Sequence, residues 1–171
     1  MGVGWYRRPL AVPALGKNGQ AVLLFDGAMS NARVYVNGQE AMFWPYGYNS
    51  FSVDITPYLR ANGPNTLAVR LENFPEASRW YPGAGLYRNV HLITTKGAHV
   101  PVWGTCLTTP TITAEAATVK LRTQVAAPAG TTGLTLRTEL RDASGRVVAT
   151  ATTPVTGAEV EQTFEVKAPR L

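Results

Sequence analysis

Alternation of apolar and polar residues at a period of two runs through most of this chain, and no sustained stretch places apolar residues three and four apart. That pattern feeds one face of a strand into a core and denies any helix an apolar stripe, so an all-β fold is expected. In the first part, strands are expected at Ala21 to Phe25, Ala32 to Val36, around Phe51 and Val53, at Thr66 to Glu72 and at Leu86 to Thr94. Asn37-Gly38 follows the second of these and suits a tight hairpin turn that needs positive φ. In Asp54-Ile55-Thr56-Pro57, Thr56 is expected to cap a short helical turn that Pro57 opens. Further strands are expected at Thr111 to Ala114, Thr118 to Ala126, Leu134 to Arg141, Val147 to Thr152 and Glu161 to Val166, with Ala143-Ser144-Gly145 as a hairpin turn.

Of sixteen aromatic residues, fourteen precede residue 103, and the remainder of the chain is rich in Thr, Ala and Val. This shift predicts two domains, 1–100 and 101–171, joined near His99 to Trp103. Five short strands in the second part suggest an immunoglobulin-like sandwich, although that fold usually has at least seven.

Hydrophobic residues at 45% and charged residues at 16% exclude a disordered tail. The net charge of +5 is dispersed, with only Arg7-Arg8 adjacent, so the continuous basic stripe needed to track nucleic acid is missing. Cys106 is the single cysteine, which rules out an intrachain disulfide and a cysteine-built metal site. No apolar run approaches the length of a membrane span, and the first ten residues lack a secretory apolar core. No membrane partner is expected, and periplasm and cytoplasm both stay open.

Several landmarks follow in order along the first part: Gly4-Trp5-Tyr6-Arg7-Arg8, Phe25-Asp26-Gly27-Ala28, Val34-Tyr35-Val36-Asn37-Gly38, and Tyr46-Gly47-Tyr48 with Ser50-Phe51. Asp54-Ile55-Thr56, Asn65 to Arg70 and Ser78 to Arg88 complete the set. Together they resemble the N-terminal sugar-binding domain of glycoside hydrolase family 2, over roughly residues 4 to 96. The resemblance implies a jelly-roll (galactose-binding-like) β-sandwich followed by an immunoglobulin-like β-sandwich, and in family members a catalytic (β/α)8 barrel after both. Members have jelly-roll strands before the Gly-Trp-Tyr-Arg-Arg element and a Trp-containing strand after a segment like Ala168 to Leu171. Both sandwiches are therefore expected to be incomplete here, and the chain to be a portion of a larger enzyme.

Retaining glycosidases need two carboxyl groups about 5–5.5 Å apart. Asp26, Asp54 and Glu40 each sit at a turn, a strand end or a hairpin, so no catalytic residue is expected in this chain. His91 and His99 have no neighbouring Cys or carboxylate cluster, so no metal site and no cofactor is expected either. His91 is expected to face solvent or a neighbouring strand.

Sugar rings stack on Trp and Tyr faces, which makes Trp5, Trp44, Tyr46, Tyr48, Trp80 and Tyr81 candidates for a platform, against the alternative that they fill a core or lie between domains. Phe25, Tyr35, Phe51 and Tyr58 belong with the core, whereas Trp44-Pro45-Tyr46 and Trp80-Tyr81-Pro82 read as loops. Leu86, Val90 and Leu92 are spaced as one strand face, and Gly83 and Gly85 permit unusual backbone conformations. The resemblance places Arg88 in the family motif, half-buried against loop carbonyls or a carboxylate, and puts Arg79 on a loop that reaches the barrel's open end. Candidate substrate-binding residues are accordingly Arg79, Trp80, Tyr81, Trp44 and Tyr46. The expected partners are a β-glycoside in the intact enzyme and the barrel of the same protein, with self-association through strand edges left exposed. Three readings follow: a non-catalytic portion of a β-galactosidase-like exo-β-glycosidase, an independent carbohydrate-binding module or lectin, or a structural spacer.

Overall fold

The computed structural model describes residues 2–76 and 83–169. These divide into two compact units that meet between Lys96 and Gly97. Among the described residues the regular elements are twelve strands and one 3₁₀ turn, and every strand pairing is antiparallel.

The first unit is a two-sheet sandwich. Strands β1 (Gly2–Leu10), β6 (Asn65–Asn73), β3 (Ala32–Val36) and β4 (Gln39–Trp44) form one sheet in the order β1-β6-β3-β4. The other sheet is β5 (Phe51–Asp54), β2 (Gly19–Phe25) and β7 (Val90–Lys96), in the order β5-β2-β7. Period-two alternation explains the core. Leu23 and Phe25, Val34 and Val36, and Leu67, Val69 and Leu71 are buried while the residues between them are not. Each such side chain contributes about 1.5–3 kcal/mol by leaving water. Phe25 stacks on Phe51 at 4.6 Å between ring centroids and 4° between planes, which ties the end of β2 to the start of β5 inside the core. On the β1 and β7 side the sheets part over an apolar slot of about 600 Å³, lined among others by Tyr6, Leu10, Leu86, Val90 and Leu92. The expected common face of Leu86, Val90 and Leu92 is that lining.

Asn37 (φ 53°) and Gly38 (φ 85°) turn the β3–β4 hairpin as their sequence predicts, with Val36 opposite Gln39. The helical turn, Thr56–Tyr58, carries Pro57 in its first positions, but Thr56 does not cap it. Asp54 Oδ1 instead accepts from Thr56 N–H at 2.9 Å, because the Thr56 hydroxyl is taken by the Ala21 N–H of β2. Strand β7 begins at Val90 rather than Leu86, since Gly85 leaves the ladder to pair with Met29. Tyr35 and Tyr58 are partly exposed rather than core: the Tyr35 hydroxyl bonds Glu40 at 3.0 Å, and Tyr58 packs on the core's margin.

The second unit has a sheet of β12 (Glu159–Lys167), β9 (Ala116–Gln124) and β8 (Thr105–Ile112), in that order, and a hairpin of β10 (Thr135–Arg141) and β11 (Val147–Pro154). Ala117, Val119, Val160 and Phe164 are its buried apolar residues among those described. Gln162, buried between Val160 and Phe164 on the same strand face, donates to the Leu136 carbonyl at 3.2 Å and to Thr153 Oγ1 at 3.1 Å. One amide thus joins the sheet to the hairpin. Each unit is a β-sandwich, and the chain is all-β.

Candidate functional site

Loops 26–31, 45–50 and 83–89 gather at one end of the first sandwich. They are held by backbone bonds: Met29 and Gly85 exchange N–H···O contacts at 3.0 Å in both directions, and Asn31 N–H reaches the Pro45 carbonyl at 3.1 Å. Tyr87 is the keystone. Its hydroxyl donates to the Gly47 carbonyl at 2.9 Å, and its ring lies so close over Gly27 that a Cβ there would stand 2.7 Å from the phenolic oxygen. A Cβ on Gly47 would meet Met29 Sδ at 2.3 Å. Gly27 and Gly47 are therefore glycines because two loops are pressed against larger side chains.

Tyr46 and Tyr48 project from this scaffold, 53% and 43% exposed, with rings edge to face at 5.6 Å. They present polarisable ring faces at the surface, which suits the C–H face of a sugar ring. Trp44 is placed otherwise. It ends β4 instead of lying in a loop, because strand alternation turns Trp44 inward and Phe43 outward, and its ring stacks on Phe51 at 5.5 Å. Its indole N–H is buried without an acceptor among the described residues. Arg79, Trp80 and Tyr81 lie outside the described residues. Trp5 is on the outer face of β1, with its ring against Tyr35 of β3.

Arg88 is exposed rather than half-buried, with its guanidinium 5.3 Å from the Tyr87 ring centroid. His91 Nε2 lies 3.1 Å from Asp26 Oδ2, so this histidine does face solvent while touching the loop beside its strand. Three further carboxylates of the unit are engaged too: Glu40 with Arg33, Glu72 with Arg70, both at 2.8 Å, and Asp54 with the 3₁₀ turn. No group of three or more metal-ligating side chains occurs among the described residues. The arrangement can bind and orient a polar ring.

A β-sandwich whose loops gather exposed aromatics at one end is an architecture that sugar-binding β domains use. The family profile "Glycosyl hydrolases family 2, sugar binding domain" matches residues 1–96, and the chain belongs to glycoside hydrolase family 2. It is 43% identical to "Beta-galactosidase BoGH2A" of Bacteroides ovatus over 86% of this chain and 18% of that protein. A "Putative beta-glucuronidase" of Formosa agariphila is 34% identical over 99% of this chain and 16% of its own length. Among solved structures, a family 2 member from Bacteroides cellulosilyticus superposes with a TM-score of 0.92 at 37% identity, covering 99% of this chain and 23% of that one. The chain thus spans about a sixth of the length of these curated relatives.

Tyr87, Gly27 and Gly47 were not singled out as a unit by sequence reasoning. Asp26-Gly27 and Tyr46-Gly47-Tyr48 stood out only as landmarks, and nothing local marks Tyr87 as the residue that touches both.

Proposed function

We propose that this chain is the sugar-binding and immunoglobulin-like portion of a family 2 exo-β-glycosidase of β-galactosidase type, which braces a catalytic barrel of the same protein and lends loops to its substrate rim. The observation that carries this reading is the family's sugar-binding domain match over residues 1–96, together with the Asp26, Glu40, Asp54 and Glu72 carboxylates being engaged in structural contacts. In this reading Arg79, Trp80 and Tyr81 supply the rim contact, Arg79 through charge-assisted hydrogen bonds to a sugar. Tyr46 adds a stacking face, and Trp44 supports it from the core side. Domains 1–100 and 101–171 serve as the sugar-binding jelly roll and the bracing sandwich. Purified chain should release no nitrophenol from β-galactosides or β-glucuronides, and turnover abolished by one Asp or Glu change would overturn the proposal. In a protein that joins this chain to a barrel, Arg79→Ala should raise KM about tenfold, as expected for loss of one charged hydrogen bond.

The exposed Tyr46–Tyr48 pair favours a second reading as a self-sufficient carbohydrate module. Isothermal titration with galactosides, glucuronides and mannosides distinguishes the two. Affinity lost on Tyr46→Ala supports the module, whereas no heat supports the first reading; Trp44→Ala is a poor probe because it also removes a core stack. The free edge of β1 makes self-association part of the proposal, and a clean monomer in sedimentation at high concentration would remove that part.

A further inference from the structure

The outer face of the four-stranded sheet carries an arrangement that the loop site does not use. Register sets Arg7, Ala68 and Tyr35 in one row across β1, β6 and β3, with Trp5, Arg70 and Arg33 in the next row. Ala68 is the small residue of its row, and the Trp5 and Tyr35 rings approach across it to 5.6 Å, tilted by 35°. The result is a trough of about 860 Å³ lined by Trp5, Arg7, Tyr35, Asn37, Arg60 and Thr66 among others. Trp5 is 60% exposed, which leaves most of a large apolar ring open to solvent.

Charge on this face is unbalanced. Glu40 and Glu72 are already paired with Arg33 and Arg70. Arg7 and Arg60 line the trough, and neither has a carboxylate within ion-pair distance among the described residues. Tyr35 adds no negative charge, since its pKa is raised by desolvation first and then by the Glu40 contact. The Asn37 amide is committed on both sides, to Tyr58 and Asn65 through Nδ2 and to Thr66 N–H through Oδ1. Polar recognition therefore falls to two guanidinium forks beside an open indole.

We propose that this trough binds an anionic saccharide: the pyranose ring lies on Trp5, and its carboxylate or sulfate ester is held by Arg7 and Arg60. The fork of each arginine matches either anion, and the indole adds what a bare acidic peptide would not need. This inference stands apart from the loop reading above, because none of its residues belongs to loops 26–31, 45–50 or 83–89.

The test is affinity electrophoresis of the full chain in gels containing oligogalacturonate, a sulfated galactan, neutral galactan or polyglutamate. Retardation by at least one of the two anionic saccharides is expected, with neutral galactan and polyglutamate bound about tenfold more weakly, and the stronger of the first two identifies the anion. Trp5→Ala and Arg60→Gln should each weaken that binding about tenfold, the scale of one charged hydrogen bond or stacked ring, with the melting temperature of the exposed-residue variants unchanged. The proposal is overturned if neither anionic saccharide retards the protein, if polyglutamate binds as tightly, or if both variants bind as the parent does.

Discussion

The two units follow the same period-two grammar and reach different interiors. In the first, alternate positions are filled mostly by Leu, Val and Phe, with Ala21 and Ala32, and a continuous cluster of buried side chains runs from β2 through β3, β5 and β6. In the second, the equivalent inward positions of β9 and β12 hold Ala117, Val119, Thr123, Val160, Gln162 and Phe164. The buried polar residue of the first unit, Asn73, closes the end of β6, whereas the second unit has a glutamine between the buried Val160 and Phe164 of β12, with its Oε1 lacking a partner among the described residues. Alternation decides that a strand forms and which face turns inward. The volume and polarity of the inward residues decide how strongly that face is held.

The sharpest way to break this contrast is Phe25→Ala. It removes one ring of the Phe25–Phe51 stack and leaves a cavity in a filled interior, so a loss of about 3–5 kcal/mol is expected in chemical denaturation of the first unit. A loss no greater than that of Phe164→Ala would show that the two cores are equivalent. Next comes Gly47→Ala, which forces a methyl group against Met29; overpacking of this kind costs about 1–3 kcal/mol and should show as a lowered melting temperature with disturbed Tyr46 and Tyr48 signals. Gln162→Leu sharpens the comparison from the other side. If the amide holds sheet to hairpin, its removal costs about 1–2 kcal/mol, and a gain in stability would mean that the second core merely lacks apolar volume.

The smallest effect is expected at the β10–β11 turn. The Asp142 carboxylate accepts from the Ser144 hydroxyl at 2.5 Å and from the N–H groups of Ser144 and Arg146, which lowers its pKa below the ordinary aspartate value, the Ser144 hydroxyl contributing most. A depressed folded pKa means a contribution present above the unfolded value and lost as pH falls through the folded one. Acid titration of the Asp142 carboxyl by NMR should show the shift, and Ser144→Ala should move it back toward the ordinary value; no movement would break the assignment.

Much of this architecture was legible in the sequence, and the failures share a cause. Ala32 to Val36 and the Asn37-Gly38 turn could be read because their signals are local: β-branched alternation, then two residues tolerant of positive φ. β1 is not among the expected strands, since GVGWYRRPL shows no alternation and is ordered by pairing with the sequence-distant β6, Gly2 opposite Asn73 and Leu10 opposite Asn65. β4 was missed because Trp44-Pro45 resembles a loop from within, and only the Phe51 ring shows that Trp44 points inward. Thr56 failed as a cap for the same reason, its hydroxyl being claimed by β2. At the candidate site the exposed tyrosines were visible in the sequence, but the Tyr87 contacts that fix them join positions twenty-seven, forty-seven and eighty-seven.

Asparagine followed by glycine is the dipeptide whose side-chain amide is most easily lost, because the next nitrogen can attack it and close a succinimide ring. At positions 37 and 38 that attack is opposed, since the amide is tied to Tyr58, Asn65 and Thr66, and its carbon is held in place by all three. Chemical ageing at Asn37 should therefore run no faster than the turn opens. Peptide mapping of stored protein would then serve as a slow clock for local unfolding of the sheet.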